Sequence, residues 1–219
     1  MFTDCAGKPT DCSSGAGTAG HVEHRQAKSR VVTCRTDDPR RAEAEAFVRE
    51  RYRQKHGATI HTFMPTLLML LDESDSLLGV TGCRIAAADT LYLERYLPRP
   101  VEAMLAAQTG TRAGRSGIVE IGNFACRHPH AATKLISLLP RHLLQLGCVW
   151  AVFTATSSVR RILRHIGARC ADLGVADAAC VRGGRDDWGG YYATDPHVLA
   201  GYLPLARRIP ALWSTADAD

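Results

Sequence analysis

Hydrophobic residues occur along the chain in short runs of strand length and in stripes with helical spacing. The first half predicts a strand, then a helix that begins around Pro39 and ends near His56, and then two apolar runs separated by a polar turn, which is typical of a β-hairpin. The strand covers 31–34, the two runs of the hairpin cover 63–71 and 77–85, and the turn covers 72–76.

The second half of the chain predicts alternating helices and strands. Apolar positions with helical spacing predict a helix over 131–146 that contains Pro140, and Ser157 is expected to cap a later helix that ends at Gly167. The other predicted elements are a helix over 101–108, strands over 118–126 and 149–154, and a last helix over 198–203 that Asp195 and Pro196 open.

The order of these elements predicts the fold class. Because helices separate the later strands, at least part of the sheet is expected to be parallel, so the class is α/β (α+β) with a mixed sheet. Residues 1–28 are rich in Gly, Ser, Ala and Thr and poor in hydrophobic residues, which is typical of a flexible tail. We therefore expect a tail over 1–28 followed by a single domain over 29–219.

Composition indicates a soluble globular protein. The chain has 219 residues, of which 46% are hydrophobic and 22% are charged, and its formal net charge is +5. A charge this small, without interleaved basic and aromatic residues, does not favour nucleic acid as a partner. The N-terminal residues lack the apolar run of a secretory signal, and no stretch reaches the roughly 18 apolar residues of a transmembrane helix. We therefore expect a cytoplasmic protein. Because no Cys-x-x-Cys pair occurs and several of the eight cysteines lie inside apolar runs, we expect the cysteines to be free, buried thiols.

Five blocks of the sequence together resemble the thermostable haemolysin family. The blocks are LYLERYLPRPVEAML (91–105), GIVEIGNFAC (117–126), WAVFTATSSVRRILRHIGA (150–168), LGVAD (173–177) and WGGYY (188–192). The likeness extends from about Thr59 to Leu203. The name of this family reports a lytic phenotype and does not state a chemistry.

Three segments are also similar, more distantly, to acyl-homoserine-lactone synthases, which are relatives of the Gcn5-type N-acyltransferases. The segments are GVTGCRIAAADTLYLERYLP, VEIGNFA and FTATSSVRRILRHIGARCADLG. The resemblance implies an N-acyltransferase-like mixed sheet with helices on both faces and two parallel strands that separate to admit a pantetheine arm. It also implies acyl-CoA or acyl-phosphopantetheine as co-substrate, with no permanently bound cofactor. Glu120 matches the strand glutamate of the synthases, and Arg84 matches their hairpin arginine.

The sequence departs from these relatives at three places. Asn123 stands where the synthases have an arginine, three residues after the glutamate. The paired aspartates that precede the hairpin of the synthases have no match. Residues 127–130 stand where ordinary acetyl-CoA enzymes have a glycine-rich pyrophosphate loop. The resemblance therefore does not extend to S-adenosylmethionine use or to lactone formation.

Acyl transfer to an amine needs a base for the amine proton, a donor for the thioester oxygen and groups that position both substrates. Glu120 alternates along its strand with two apolar residues, so it is expected to face a cleft, where a carboxylate is costly unless it is used or paired. It is the candidate base or amine anchor, and a structural ion pair with Arg84 or Arg95 is the alternative. Asn123 either polarises the thioester carbonyl or makes a strand-end hydrogen bond.

The segment from Trp188 to Tyr192 is dense in aromatic residues, and its two glycines allow the rings either to line a pocket or to pack in the core. A hydroxyl of Tyr191 or Tyr192 is a candidate donor to an oxyanion or to a leaving thiolate. The predicted catalytic residues are thus Glu120, Asn123, Tyr191 and Tyr192, and the predicted substrate-binding residues are Arg84, Glu94, Arg95, Phe124 and Trp188.

Three arginines, Arg160, Arg161 and Arg164, lie on the polar side of a predicted helix. They form either a solvated helix face or a patch for an acidic acyl carrier protein or for the phosphates of CoA. Cysteine and histidine side chains at 126–130 are of metal-ligand type, but a proline interrupts the run and a fourth ligand is not evident, so no metal is expected.

These features predict an N-acyltransferase that moves an acyl group from a carrier-protein or CoA thioester to the amine of a small polar acceptor, such as an amino acid. Two alternatives stay open. One is a membrane-lytic protein of haemolysin type, which the lack of a long amphipathic cationic helix disfavours. The other is a non-catalytic module that binds acyl carrier protein.

Overall fold

Seven strands of the described chain form one mixed β-sheet. The computed structural model describes residues 29–181 and 187–206, so the predicted tail, 1–28, lies outside the described residues. The strands are β1 (Arg30–Cys34), β2 (Thr66–Leu71), β3 (Leu77–Ile85), β4 (Ile118–Cys126), β5 (Trp150–Ala155), β6 (Cys170–Val175) and β7 (His197–Tyr202). Across the sheet they follow the order β1-β2-β3-β4-β5-β7-β6.

α-Helices connect several of these strands, and a short one follows the last strand. They are α1 (Arg41–His56), α2 (Val101–Thr109), α3 (Pro129–Gln145), α4 (Ser157–His165) and the short α5 (Leu203–Ala206). Short 3₁₀ helices cover Tyr92–Tyr96, Arg115–Gly117, Ala178–Cys180 and Tyr192–Thr194. The hydroxyl of Thr156, one residue before the predicted cap, accepts the Val159 N–H at the start of α4.

The helices cover both faces of the sheet because successive strand residues point to opposite sides. On one face, Leu135, Leu139 and Leu143 of α3 share a buried cluster with Val119 of β4. On the other face, α2 packs around Ile118, the preceding residue of β4. The N-terminal half of α1 packs on that same second face, against β2 and β3. The predicted α/β class with a mixed sheet and helices on both faces is therefore confirmed.

The predicted last helix is wrong, because 197–202 forms strand β7. β7 lies inside the sheet, antiparallel to β5 on one side and to β6 on the other. Val198, Leu199 and Ala200 are all buried, so the segment lacks the alternation that marks a strand with one solvated face. A short apolar run of this kind does not distinguish a buried strand from a buried helix.

A β-bulge in β4 separates two strands that would otherwise run side by side. Gly82 of β3 pairs with Gly122, while Val80 pairs with Ala125, so two residues of β4 lie opposite one residue of β3. Asn123 takes up the extra length with a positive φ of 48°, a conformation that Asn tolerates better than most residues. The parallel pairing of β4 with β5 ends just before the bulge, at Ile121.

A tight turn at Gly189 brings a cluster of aromatic residues against the end of α1. The Gly190 N–H donates to the carbonyl of His56 over 2.8 Å. Gly189 has a φ of 48°, and a Cβ at this position would lie 2.2 Å from the same carbonyl oxygen. Only glycine fits here, because any side chain would combine a left-handed backbone with a steric clash.

The variants Gly189→Ala and Gly167→Ala separate the clash from the backbone strain. Gly167 also has a positive φ, but a Cβ there would have no neighbour within 4 Å. We expect Gly167→Ala to lower the free energy of unfolding in urea by about 1 kcal/mol. Gly189→Ala is expected to cost roughly 1–3 kcal/mol more, because the backbone must move to relieve the clash. Equal losses would contradict the close approach of Gly189 to α1.

Candidate active site

A cavity of 630 Å³ lies at the point where β4 and β5 stop pairing. Gly122 and Phe124 of β4 and Phe153 and Thr154 of β5 line the gap between the two strands. The cavity has lining residues on both faces of the sheet, and its volume is within the range of about 300–1,000 Å³ that is typical of small-molecule sites. The cavity therefore passes through the sheet and joins a space on one face to a space on the other.

On one face the cavity forms an aromatic chamber, lined by Tyr52, Tyr92, Tyr96, Trp188 and Tyr191. The Trp188 ring lies at the centre of this group, with centroids 5.1 Å from Tyr191, 6.2 Å from Tyr92 and 6.3 Å from Tyr52. Charged side chains of Arg84, Arg95 and Glu120 complete the lining of the chamber.

On the other face the cavity forms an apolar arm between α3 and α4. The arm is lined by Ile136, Leu139, Leu143, Val159, Leu163 and Ile166. Leu163 and Ile166 also pack with Leu199 of β7, so this side of the arm belongs to the hydrophobic core. The helical spacing that predicted α3 and α4 therefore also supplies the apolar surface of the arm.

Glu120 lies on β4 at the floor of the chamber and is 3% exposed. Its two carboxylate oxygens accept the backbone N–H groups of Tyr92 and Leu93, over 2.9 and 2.8 Å. Burial raises the pKa of the Glu120 carboxyl, although these two hydrogen bonds lower it in part. Glu120 thus fixes the start of the 3₁₀ helix Tyr92–Tyr96, which we call the tyrosine wall.

Neither Arg84 nor Arg95, the two predicted alternative partners of Glu120, forms an ion pair with it. Arg84, beside Glu120 in the β-ladder, points a guanidinium nitrogen towards Asp89 at 3.9 Å. The Arg95 guanidinium stacks over the Tyr92 ring, 3.6 Å from its centroid, and donates to the Tyr92 carbonyl. Both arginines keep positive charge at the chamber.

Glu94 lies on the tyrosine wall but not among the cavity lining. Its carboxylate accepts the N–H groups of Leu91 and Val101 and forms an ion pair with Arg115 at 2.8 Å. Burial alone would raise the pKa of Glu94, but the hydrogen bonds from Arg115, Val101 and Leu91 outweigh it and lower the pKa to about 2. The structure therefore places Glu94 behind the chamber.

The side chain of Asn123 ties a loop to the bulge. Its Oδ1 accepts the N–H of Met64 over 2.8 Å, and its Nδ2 donates to the Thr62 carbonyl. The Met64 side chain in turn packs over Gly82 and Gly122, where a Cβ on either glycine would approach it to 2.6 Å. The amide of Asn123 is therefore occupied by the loop.

The predicted tyrosines occupy different positions. Tyr191 lines the chamber, and burial raises its pKa well above the ordinary value. Tyr192 is not among the lining residues, and its hydroxyl lies 2.7 Å from that of Tyr96, which does line the chamber. Burial raises the pKa of both Tyr96 and Tyr192.

The remaining predicted residues fall into two groups. Phe124 and Trp188 line the cavity. Of the α4 arginines, Arg160 binds the carboxylate and carbonyl of Asp195, both over 2.6 Å, whereas Arg161 and Arg164 are exposed.

Several cavity residues were not predicted from the sequence. They include Tyr52 of α1, whose pKa burial raises to about 12, and His61, in the loop over 59–64 that lines the chamber. Residues 59–64 show no periodic spacing of apolar residues, so the sequence did not mark this loop as part of a site. Tyr52 belongs to a predicted helix that is rich in charged residues, which is typical of a solvated surface. The aromatic residue on a charged helix was the only signal that pointed to Tyr52.

Within 29–181 and 187–206, no cluster of three or more Cys, His, Asp or Glu side chains is arranged to hold a metal ion. None of the helices described above is both long enough and apolar enough to cross a bilayer.

Solved structures of low sequence identity share the fold. The N-acyl amino acid synthase FeeM, from uncultured soil microbes, aligns with a TM-score of 0.57 and 17% identity, over 84% of this chain and 95% of that chain. The AHL synthase LasI aligns with a TM-score of 0.58 and 12% identity, over 88% and 98% of the two chains. MesI, a CoA-dependent acyl-homoserine lactone synthase, aligns with a TM-score of 0.52 and 14% identity, over 86% and 97%.

In sequence, no curated protein matches the chain. The family model described as thermostable hemolysin matches residues 34–206, which is most of the chain. The resemblance stated from the sequence is thereby confirmed, and the chain belongs to the thermostable hemolysin family.

Proposed function

We propose that this chain is an N-acyltransferase that moves an acyl group from a thioester to the amine of a small polar acceptor, such as an amino acid. The observation that carries the proposal is the cavity at the divergence of β4 and β5, which joins the apolar arm to the aromatic chamber. An acyl chain and a polar amine need these two environments on either side of one reaction point. The fold shared with FeeM and LasI supports the same interpretation.

In the proposed reaction the acceptor nitrogen attacks the thioester carbonyl carbon, so an N–C bond forms and the C–S bond breaks. Glu120 accepts the amine proton, for which its raised pKa is suited. Each carboxylate oxygen of Glu120 keeps a second lone pair beside the backbone N–H that it already accepts. Tyr191, whose side chain lines the chamber, donates its hydroxyl proton to the leaving thiolate. Exchange with water then returns a proton to Tyr191 and removes the amine proton from Glu120, so both groups recover their starting state.

The other predicted residues take supporting roles in the proposed site. Arg84 and Arg95 attract an anionic group of the acceptor, such as a carboxylate. Trp188 and Phe124 pack against apolar parts of the two substrates. Asn123 keeps the gap between the strands open by holding the bulge and the loop together.

The thioester donor is CoA or an acidic acyl carrier protein. Arg169 lines the cavity, and Arg161 and Arg164 are exposed on the adjacent helix α4. This basic patch suits the phosphates of CoA or the acidic surface of a carrier, and its contribution to the association rate falls as salt rises.

The test is a mass-spectrometric screen of the purified chain against acyl-CoA and acyl-carrier thioesters with pooled amino acids and other small amines. A product with the mass of the amine in which the acyl group replaces one hydrogen, together with free thiol, supports the proposal and names both substrates. Complete inertness with every donor would overturn it. Salt-dependent carrier binding without turnover would favour the binding module instead.

Glu120→Gln is expected to lower kcat by roughly 10²- to 10⁴-fold, because an amide cannot accept the amine proton. The wild-type rate is expected to fall with acidification as Glu120 becomes protonated. Because burial raises the pKa of Glu120, the midpoint of this fall should lie above the ordinary glutamate pKa of about 4.3. Steady-state rates across pH measure both effects. Glu43→Gln, on the surface of α1, is the control. Turnover by Glu120→Gln within a few-fold of wild type would remove Glu120 as the base.

Val159→Phe is expected to shorten the apolar arm and to discriminate against long acyl chains. At about 0.8 kcal/mol per buried methylene, excluding three methylenes lowers kcat/KM for long donors by roughly 50-fold, while short donors are little affected. The matched control is Val175→Phe, at a valine of β6 that is 55% exposed and lies outside the arm. Equal losses for all chain lengths would place the acyl chain elsewhere.

The proposed product accounts for a lytic activity without a membrane-active protein. An acyl chain joined to an amino acid is a single-chain amphiphile, and such molecules insert into bilayers with about 0.8 kcal/mol per buried methylene. We expect the protein alone, the donor alone and the acceptor alone to leave dye-loaded liposomes intact. The complete reaction should release the dye, and its filtrate should keep this activity after boiling. Leakage caused by the substrate-free protein would favour the lytic protein instead.

A further inference from the structure

We propose that Arg115, which lies outside the cavity, is a positioning residue that holds the tyrosine wall and thereby sets the affinity for the acceptor. The inference rests on the proposed function for its kinetic consequence, but the positioning itself is a property of the fold. Arg115 belongs to the 3₁₀ helix Arg115–Gly117, just before β4, and was not singled out by any sequence motif.

The guanidinium of Arg115 uses all five of its N–H donors on protein groups. Its Nε donates to the Ala86 carbonyl over 2.9 Å, where β3 ends. One terminal nitrogen binds both Glu94 (2.8 Å) and Glu102 (2.7 Å), and the other binds Glu94 and the Asp89 carbonyl, each over 3.1 Å. A single side chain thus joins the end of β3, the tyrosine wall and α2.

The tyrosine wall needs this support because it is too short to hold itself. An isolated 3₁₀ turn of five residues is not stable, and most of its first N–H groups lack intrahelical acceptors. Two carboxylates supply those acceptors, one from β4 and one from within the wall. Glu120 takes the N–H groups of Tyr92 and Leu93, and Glu94 takes that of Leu91.

Arg115 acts through Glu94. The carboxylate of Glu94 is held at both oxygens by the guanidinium, which fixes its direction towards the N–H groups of Leu91 and Val101. Without Arg115, Glu94 would keep its charge in a partly buried site with no cation, and it would turn towards water. One of the two anchors of the wall would then be lost.

The wall carries three side chains that line the chamber, Tyr92, Arg95 and Tyr96. The Arg95 guanidinium rests on the Tyr92 ring, and the Tyr96 hydroxyl contacts Tyr192, so these groups move with the wall. The apolar arm lies on the opposite face of the sheet, between α3 and α4. A loosened wall therefore disturbs the acceptor side of the cavity and leaves the donor side in place.

An arginine is required because a lysine cannot make the same set of bonds. The planar guanidinium presents donors in three directions at once, whereas an ammonium is a compact point charge with three donors. Arg115→Lys keeps the charge beside Glu94 but loses the bridge to Ala86 and Asp89. It therefore tests geometry separately from charge.

The experiment compares Arg115→Lys and Glu102→Gln with Arg112→Met, which removes an exposed arginine three residues earlier. Hydrogen exchange of the peptide that spans Leu91 to Val101, read by mass spectrometry, reports the wall without any turnover. We expect exchange to be faster by roughly tenfold or more in Arg115→Lys, less in Glu102→Gln, and unchanged in Arg112→Met. Urea unfolding checks that each variant is folded.

The kinetic readout uses the donor and acceptor identified by the mass-spectrometric screen. Arg115→Lys is expected to raise the KM for the acceptor by roughly tenfold, with the KM for the donor within about twofold of wild type. Unchanged exchange in folded Arg115→Lys would overturn the positioning role, as would equal rises in both KM values. Faster exchange in a chain that turns over no thioester would keep the positioning role and overturn the proposed function alone.

Discussion

Parallel strands remain paired only while their backbones keep the same pitch, and the extra residue at Asn123 ends that match between β4 and β5. Backbone groups beyond Ile121 cannot reach the neighbouring strand, so they are available to other partners. The gap that results is where the cavity crosses the sheet. The bulge itself is stabilised locally, because the Asn123 amide satisfies the backbone of the loop that covers it. An asparagine in this conformation is thus the origin of the opening.

Two buried or half-buried carboxylates maintain the chamber that opens from this gap. Both Glu120 and Glu94 accept backbone N–H groups of the tyrosine wall, yet their electrostatic situations differ. Burial dominates at Glu120 and raises its pKa, whereas at Glu94 the hydrogen bonds from Arg115, Val101 and Leu91 outweigh burial and lower the pKa to about 2. The same side-chain type therefore provides a group that can exchange a proton near the cavity and a permanently charged anchor behind it.

The sequence predicted helices and strands correctly where apolar residues recur with a regular spacing. The stripes of α3 and α4 and the polar turn of the hairpin were sufficient for those elements, whereas β7 lacked a period because both of its faces are covered. Glu120 was placed in a cleft because its neighbours in β4 are apolar. A single sequence does not show which distant backbone groups form hydrogen bonds with a given amide or carboxylate side chain. The loop held by Asn123 and the five bonds of Arg115 depend on such encounters and were not foreseen.

The cavity is open to both faces of one sheet, so its two ends are lined by different sets of residues. Residues of α3 and α4 contact one end, and residues of the tyrosine wall and the Gly189 turn contact the other, with β4 and β5 between them. Side chains that share no neighbours contribute to free energy almost independently. Substitutions at one end of the cavity can therefore change what that end accommodates while the other end is conserved, so a single scaffold of this type can diversify into a family of distinct small-molecule sites.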